Sequence, residues 1–426
     1  MPQEEFLNYA KSCHICPNKF KKLHHFYDQL CPNCAEFNYQ KRFYSSNMEG
    51  RVCIVTGARV KIGYCIALKL LRMGATVIIT TRFPHNAAIR YSKEPDFETF
   101  AKQLHIYGID FRDMTMVHQF CSKIKSNFNR MDVIINNAAQ TVRKPTQFYK
   151  HLILDESIIP NKEVYSKMSI TNVYREENGE YQFVLLDSTK DTNPSKATDG
   201  LQSVVLSNLS ASTGNSLSTV ANLSSKLSQV PLTMEDIETQ NTRLFPLNVY
   251  DRDDQQVDLR KENSWTQEIG NISIVEMFEC QVINVIAPWI LISELKEMMV
   301  ATKSLDDESL PIDKYIVNVS AMEGQFYRPK TTCHPHSNMA KASLNMLTRT
   351  SASGFAALNI FMTAVDTGWI TDENPVDQWE KRENAPPPLD EWDAAMRVLD
   401  PVLTGINGDG DKKWGIFLKN YTPTRW

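Results

Sequence analysis

The stretch from residue 51 to residue 63 decides the fold, and it reads Arg51-Val-Cys-Ile-Val-Thr-Gly-Ala-Arg-Val-Lys-Ile-Gly63. Its apolar run is typical of a buried strand in a parallel sheet, and the apolar residues after it recur at helical spacing. Gly57 and Gly63 frame the turn between strand and helix. A phosphate group can lie at the N-terminus of such a helix, because unpaired backbone N–H groups and the positive end of the helix dipole face it. The stretch therefore predicts a dinucleotide-binding unit.

Composition limits the class of protein. The chain has 426 residues, is 42% hydrophobic and carries a formal net charge of −4, which suits one large globular domain with additions and predicts no nucleic-acid partner. The start of the sequence resembles no secretion signal, and no apolar run stands out as a membrane-spanning helix. We therefore expect a soluble, cytoplasmic protein that does not bind membranes, and its nine cysteines should be reduced thiols or metal ligands.

Two cysteine pairs mark residues 1–48 as a separate module. Cys13 and Cys16 form one Cys-x-x-Cys turn, and Cys31 and Cys34 form another. Two such turns supply the four thiolates of a closed zinc site, and a segment this short has little core of its own without a metal. We predict a zinc-ribbon-like module, with unbound thiols as the alternative. Such modules bind proteins, bind nucleic acids or brace a neighbouring domain, and the near-balanced charge of this segment does not choose among the three roles. A protein partner that binds this module is one option.

From residue 51 onward, strands and helices alternate in the order of a doubly wound parallel α/β sheet. Thr56-Gly57 and Ile62-Gly63, Asp110, and the run Asn136-Asn137-Ala138-Ala139 together resemble motifs of the short-chain dehydrogenase/reductase superfamily, a Rossmann family that binds NAD(P). Lys61 stands where the family has its middle glycine. The resemblance implies that the cofactor contacts Thr56, Gly57, Lys61, Ile62, Gly63, Asp110, Asn137, Ala138, Lys341, Gly368 and Thr371.

The resemblance also implies a catalytic centre, with departures from the family pattern. Lys341 matches the lysine of the family's Tyr-x-x-x-Lys helix, but Ser337 occupies the tyrosine position, which indicates a divergent branch without the usual proton donor. Asn284 matches the helix asparagine that supports a water chain to the lysine. Ser320 lies one place before the position of the family serine, which is Ala321 here. Three loop residues are candidate replacement acids: Tyr327, His334 and His336.

Charge at the end of the second strand of this fold indicates the cofactor type. NAD enzymes usually place an acidic residue there for the ribose 2′-hydroxyl, whereas this strand ends Thr80-Thr81-Arg82. A guanidinium fork suits phosphate oxygens, so Arg82, with Arg59, predicts binding of NADP rather than NAD.

Residues 145–272 interrupt the pattern, so the Rossmann domain comprises residues 49–144 and 273–426. The stretch from about 187 to 240 is rich in Ser, Thr and Asn, and we expect it to be mobile because it can bury little apolar surface. The flanks around Tyr149 and around 245–265 carry aromatic residues. We expect these flanks to cover the cofactor cleft, with an insertion that has no role in binding as the alternative.

These observations leave two functions open. The first is an NADP-dependent oxidoreductase that acts on a carbonyl or alcohol through a non-standard proton donor. The second is a catalytically inactive NADP(H)-binding sensor or scaffold, which accounts directly for Ser337. The sequence names neither the small-molecule substrate nor the oligomeric state, for which a homo-oligomer is one option.

Overall fold

The computed structural model describes residues 6–157, 164, 166–175, 181–185, 223–238, 243–371, 373–376 and 387–426. In chain order, the strands are β1 (Phe6–Ser12), β2 (Lys19–Lys22), β3 (Val52–Thr56), β4 (Thr76–Thr81), β5 (Leu104–Gly108), β6 (Val133–Asn136), β7 (Ser169–Arg175), β8 (Tyr181–Leu185), β9 (Lys314–Ser320), β10 (Ile360–Asp366), β11 (Phe417–Lys419) and β12 (Thr422–Thr424). The helices are α1 (Pro32–Phe43), α2 (Lys61–Arg72), α3 (Pro84–Ser92), α4 (Phe97–Phe100), α5 (Met114–Asn127), α6 (Lys150–Ser157), α7 (Leu223–Leu227), α8 (Met234–Glu238), α9 (Ile274–Gln281), α10 (Ala287–Ala301), α11 (Pro335–Ala356) and α12 (Glu391–Asn407).

A ten-stranded sheet forms the centre of the protein, in the order β12-β11-β10-β9-β6-β3-β4-β5-β7-β8. Only the outermost pairs, β11–β12 and β7–β8, are antiparallel. The strand order reverses between β3 and β6, which is the switch point where doubly wound sheets bind ligands at the carboxyl ends of their strands. The predicted doubly wound parallel sheet is thereby confirmed.

Helices cover both faces of the sheet, as the fully buried central strands require. On one face, α2 packs against α12, with Ile66, Leu70, Leu399 and Val402 in the shared core. On the other face, α10 packs against α5, with Phe120, Ile124, Leu291 and Leu295 in the core. Gly74 takes a φ of 92° just after α2, the left-handed conformation in which a glycine commonly ends a helix.

One helical region has a property that the sequence inspection did not predict. By length and composition alone, the helix Ile274–Ala301 could cross a membrane, with a mean hydropathy of 1.5 over its most apolar window. Buried core helices of soluble proteins pass the same test, and 39% of that window is buried. Its buried residues Leu291, Leu295 and Met299 pack in the core beneath the sheet.

The inserted segment contributes to the sheet itself. Strand β7 extends the sheet beyond β5 in parallel, and Ile170 and Val173 on it are fully buried. Residues 223–238, which we expected to be mobile, form α7 and α8. The Asp236 carboxylate holds α8, because it accepts hydrogen bonds from Arg143 and from the backbone N–H groups of residues 232 and 233. The rest of the stretch expected to be mobile, residues 187–222 and 239–240, lies outside the described residues.

The N-terminal module consists of the hairpin β1–β2 and helix α1, and it shares a core with the Rossmann domain. Ile370, Leu389 and Ala394 belong to the same apolar cluster as Cys13, Phe20, Leu30 and Cys31. Charged contacts surround this cluster: Lys41 pairs with Asp400 at 2.5 Å, and Arg42 pairs with Asp390 at 2.7 Å. The module is therefore packed tightly against α12 and the loop that precedes it.

Candidate functional site

A cleft of about 400 Å³ opens at the carboxyl ends of β3, β4, β5 and β6. It lies at the switch point of the sheet, where this fold binds a dinucleotide. Residues that follow all four strands line it. Those that the sequence predicted as cofactor-binding residues are Gly57, Arg59, Lys61, Ile62, Gly63, Arg82, Asp110, Asn137, Ala138 and Thr371.

The glycine turn has the geometry that close approach to a phosphate requires. Gly57 has a φ of 65°, and a Cβ atom there would lie 2.8 Å from the Cα of Ala138. At Gly63, a Cβ atom would lie 2.4 Å from both the side-chain amide nitrogen of Asn137 and the carbonyl oxygen of Gly57. Lys61 takes a φ of 55°, so this lysine keeps the left-handed backbone conformation that a glycine would adopt at the same place.

Replacing Gly63 with alanine should destabilise the protein by about 1–3 kcal/mol, because the added methyl group overlaps a backbone oxygen that cannot move freely. Dinucleotide binding should weaken at least roughly tenfold, since the turn must shift to admit the methyl group. Denaturant unfolding and calorimetric titration measure the two effects.

Gly354→Ala is the matched control, because a Cβ atom at this position in α11 meets nothing within 4 Å. A gain of up to about 1 kcal/mol is expected there from helix propensity. Equal effects of the two substitutions would show that the close packing at Gly63 contributes neither to the free energy of unfolding nor to dinucleotide affinity.

Thr56 does not line the cleft but fixes its base. Its hydroxyl accepts hydrogen bonds from the backbone N–H groups of Asn137 and Ala138, both at 2.9 Å. The Asn137 side chain in turn donates to the carbonyl oxygen of Thr56 at 3.0 Å. These contacts tie the ends of β3 and β6 together, so Thr56 supports the cofactor site from behind.

Basic side chains gather where β4 ends. The Arg59 guanidinium is buried and donates to Asn86 at 2.8 Å and to Gln255 of the insertion at 2.6 Å. Burial, together with the charges of Arg90 and Arg82, lowers the pKa of Arg59 to about 10, so it remains cationic at neutral pH. No sequence pattern indicates a role for Gln255, because this contact joins residues that are far apart in the chain.

Two buried carboxylates lie near this basic end. Burial opposes ionisation of Asp110, but Arg112, which donates to it at 2.6 Å, outweighs that effect and lowers the pKa of Asp110. Glu156 accepts a hydrogen bond from the backbone N–H of Asn86, at the start of α3. Burial raises the pKa of Glu156 to about 8, so this carboxyl is largely neutral at pH 7. It therefore causes little electrostatic repulsion of a bound phosphate.

The residues predicted to form the catalytic centre are not among those that line the cleft. Lys341 is only 9% exposed and its Nζ donates to the carbonyl oxygen of Val319 at 2.9 Å. The next residue, Ser320, has a buried hydroxyl without a hydrogen-bond partner among the described residues. Ser337 is also buried. Burial lowers the pKa of Lys341, as it does for any buried ammonium group.

Asn284 lies in a π-helical turn, Val282–Ile286, between α9 and α10. Its side-chain oxygen accepts from the backbone N–H of Gln140 at 2.7 Å, and its amide nitrogen donates to the carbonyl oxygen of Gln140 at 3.0 Å. Asn284 therefore fixes the loop after β6, which forms one wall of the cleft. π-Helical turns often occur at functional sites.

The three candidate acids do not line the cleft. Tyr327 is 45% exposed, at a distance from the cleft lining. His334 has a φ of 44° at the start of α11 and stacks on Trp265 with ring centroids 4.0 Å apart. His336 is buried with its Nε2 atom 4.0 Å from Glu276, and burial lowers its pKa. Each of these residues has a packing role in this conformation.

The loop after β10 closes the other end of the cleft. The backbone N–H of Gly368 donates to the Asp366 carboxylate at 2.7 Å, and Gly368 has a φ of 86°. Gly368 shapes this turn without lining the cleft. Thr371 and Glu373 do line it, with the threonine hydroxyl 3.2 Å from the glutamate oxygen.

The predicted metal ligands come together in the N-terminal module. The Sγ atoms of Cys13, Cys16, Cys31 and Cys34 all lie within 4.8 Å of one another. The Cys16 and Cys31 sulfurs are 3.6 Å apart. Four thiolates at the usual zinc distance of ~2.3 Å lie about 3.8 Å apart, so the donor set and its spacing fit a tetrahedral zinc ion.

Comparison with known proteins agrees with this architecture. Residues 51–165 match the family model described as short chain dehydrogenase. The uncharacterized protein R665 of Acanthamoeba polyphaga mimivirus is 27% identical over 94% of this chain and 74% of its own length. A 2-dehydro-3-deoxy-D-gluconate 5-dehydrogenase of Pseudoalteromonas atlantica is 29% identical over 27% of this chain and 44% of its own length.

A solved metagenomic short-chain oxidoreductase, in complex with NADP, superposes with a TM-score of 0.45 at 14% identity, covering 88% of this chain and 100% of that one. The family match covers residues 51–165, which include the glycine turn and the strands β3 to β6 at the cleft.

Proposed function

We propose that this protein is an NADP-dependent oxidoreductase that acts on a carbonyl or alcohol. The observation that carries the proposal is the basic end of the cleft, where β4 is followed by Arg82 and not by an acid. Arg59 lies beside it, and the nearby Glu156 is largely neutral at pH 7. A 2′-phosphate is the ligand group that such a site favours over a ribose hydroxyl.

Each part of the chain then has a role. The N-terminus of α2 and the turn from Gly57 to Gly63 hold the pyrophosphate, because backbone N–H groups can approach it there. Lys341 binds the nicotinamide ribose and moves a proton, and Asn284 holds the loop beside it. The Ser320 hydroxyl, which lacks a partner among the described residues, binds the substrate oxygen. When bound, the cofactor supplies the hydride.

Arg82→Ala tests the proposal. Loss of a charge-assisted hydrogen bond typically costs about 1.5–3 kcal/mol, so NADPH affinity should fall roughly ten- to hundredfold while NADH affinity changes little. Arg349→Ala, at an exposed position of α11, is the matched control and should change neither affinity. If the unmodified protein bound NADPH and NADH equally well in calorimetry, the NADP assignment would be wrong.

A second function, an inactive NADP(H) sensor or scaffold, is favoured by one observation. Ser320, Ser337 and Lys341 are all buried and line no part of the cleft. A serine hydroxyl titrates too high to replace the family tyrosine unaided. The two functions are distinguished by turnover, which is measured with a broad panel of aldehydes, ketones and alcohols. If the protein binds NADPH but neither reduces nor oxidises any of these compounds, it is the sensor.

We also propose that the four cysteines of the N-terminal module bind one zinc ion. Their convergence supports this proposal, and so does the hydrogen bond from the Cys31 backbone N–H to the Cys13 sulfur at 3.3 Å, which stabilises a thiolate. The module is also where we propose that a protein partner binds.

A further inference from the structure

The inserted segment places an aromatic ring beside the arginine at the end of β4. The Arg82 guanidinium lies 4.4 Å from the centre of the Tyr149 ring and 5.5 Å from the centre of the Phe83 ring. All three side chains line the cleft. Distances below about 6 Å are those of attractive cation–π contacts. The guanidinium is therefore held by a residue of the segment that we predict to be an insertion.

Tyr149 is in turn fixed by its neighbours. Its ring stacks on Phe83 at 5.7 Å and meets the edge of Phe148 at 5.1 Å. Phe148 packs against Phe245, which is 1% exposed and comes from the far side of the insertion. The backbone N–H of Thr146, at the start of the same turn, donates to Asp236. The ring is thus part of a packed aromatic cluster and not a loose surface side chain.

The neighbouring arginines are held differently. Arg59 uses its guanidinium to bind Asn86 and Gln255, and Arg90 binds Asp254 at 3.0 Å. For the Arg82 guanidinium, no hydrogen bond or ion pair is found with any residue in the described part of the chain. The N–H donors of this guanidinium are therefore available to a ligand, and a phosphate is bound through such donors.

We infer that Tyr149 is a specificity-determining residue, because it holds Arg82 in the orientation that binds the 2′-phosphate of NADP(H). The inference rests on the proposed NADP-dependent function and deepens it. Its consequence is that the insertion, through one ring, sets the preference between the phosphorylated and the unphosphorylated dinucleotide. Without the ring, the guanidinium should be free to reorient. Binding of the phosphate would then have to order the arginine side chain, and this entropic cost should weaken the affinity.

The test compares Tyr149→Leu, which removes the ring, with Tyr149→Phe, which keeps it. Affinities for NADPH and NADH are measured by calorimetry on the full chain, and a thermal melt confirms that each variant is folded. Tyr149→Leu should weaken NADPH roughly three- to thirtyfold with NADH changed less than about twofold. Tyr149→Phe should keep the wild-type ratio of affinities. Tyr250→Leu is the control, because this tyrosine is 41% exposed, packs on His151 and is not among the residues that line the cleft.

A double variant separates this inference from the proposed function. If the ring acts through the guanidinium, adding Tyr149→Leu to Arg82→Ala should weaken NADPH no further. Equal weakening of NADPH and NADH by Tyr149→Leu would overturn the inference, because the ring would then contact a part common to both dinucleotides. An unchanged NADPH affinity in a folded Tyr149→Leu variant would overturn it as well. By contrast, an Arg82→Ala variant that binds NADPH normally would refute the NADP assignment itself.

Discussion

Replacing both Cys31 and Cys34 with serine is expected to abolish metal binding and to unfold the N-terminal module. Elemental analysis should fall from about one zinc ion per chain to nearly none, because two of the four thiolates are lost. Structural zinc contributes on the order of 10–16 kcal/mol in small zinc-finger peptides, so the module cannot compensate for the loss from its own small core.

The effect should extend beyond the module. Ile370, Leu389 and Ala394 pack in the same cluster as the cysteines, so they become exposed when the module unfolds. Hydrogen exchange should therefore lose protection in residues 6–43 and also in 366–371 and 389–397. The strands β3 to β6 have their own buried core and should keep their protection.

The control is Cys333→Ser, since Cys333 lies outside the cluster of four cysteines and its thiol donates to the carbonyl oxygen of Thr266 at 3.4 Å. Zinc content should stay at the wild-type value in that variant. Substoichiometric metal in the unmodified protein that does not fall further in the double variant would contradict a zinc site. A double variant without zinc but with unchanged hydrogen exchange would contradict the structural role of the metal.

Lys341→Ala is expected to lower turnover roughly 10²- to 10⁴-fold, the range in which a positioned proton-transfer group contributes. NADPH affinity should fall as well, because the resemblance to the family places this lysine at the nicotinamide ribose. Ser337→Ala should change turnover much less, since its hydroxyl is too weak an acid to act alone. Steady-state kinetics and calorimetry on the two variants provide the comparison.

The pH profile identifies the proton donor. A histidine donor would produce a change in rate near its ordinary pKa of about 6.5, or below it for His336, whose pKa burial lowers. Lys341 and Asn284 match motifs of the resembling family whereas the two histidines match none, which favours a water relayed through Lys341 and a change at higher pH. Loss of that feature in Lys341→Ala would fit the relay. A profile governed by a group near pH 6.5 would instead point to a histidine.

The Ser337→Tyr variant distinguishes an enzyme from a sensor, because it restores the tyrosine of the family motif. Activity gained by this variant would indicate an intact cleft in a chain that has lost its acid. Continued inactivity, together with normal NADPH binding, would indicate that the departures extend to the buried Ser320 and Lys341. The unmodified chain would then be the sensor.

Local patterns predicted the Rossmann elements closely. The second strand of the fold, predicted to end Thr80-Thr81-Arg82, is observed as Thr76–Thr81. All of its residues except Thr76 are buried, so its apolar run carries most of the information that specifies it. The glycine turn was predictable for a related reason, because its conformation excludes most side chains.

The inserted segment could not be predicted in the same way. The strand β7 joins the sheet through pairing with β5, a contact between distant parts of the chain. The pairs Arg59–Gln255 and Arg143–Asp236 also join distant residues, and no local spacing indicates them. The polar composition suggested mobility up to residue 240, but α8 is ordered by a buried ion pair that composition does not reveal. The domain boundaries at residues 145 and 272 remain predictions.

The packing of the N-terminal module has a consequence for the order of folding during synthesis. Tyr27 donates a hydrogen bond to Asp393, and the two residues are 366 positions apart in the chain. At ~5–20 residues per second, roughly 20–70 s separate the synthesis of α1 from that of α12. The cysteine turns can bind a metal as soon as they emerge, but their apolar partners Ile370, Leu389 and Ala394 are not yet made. Early metal uptake would keep this nascent segment compact until its partner helix arrives.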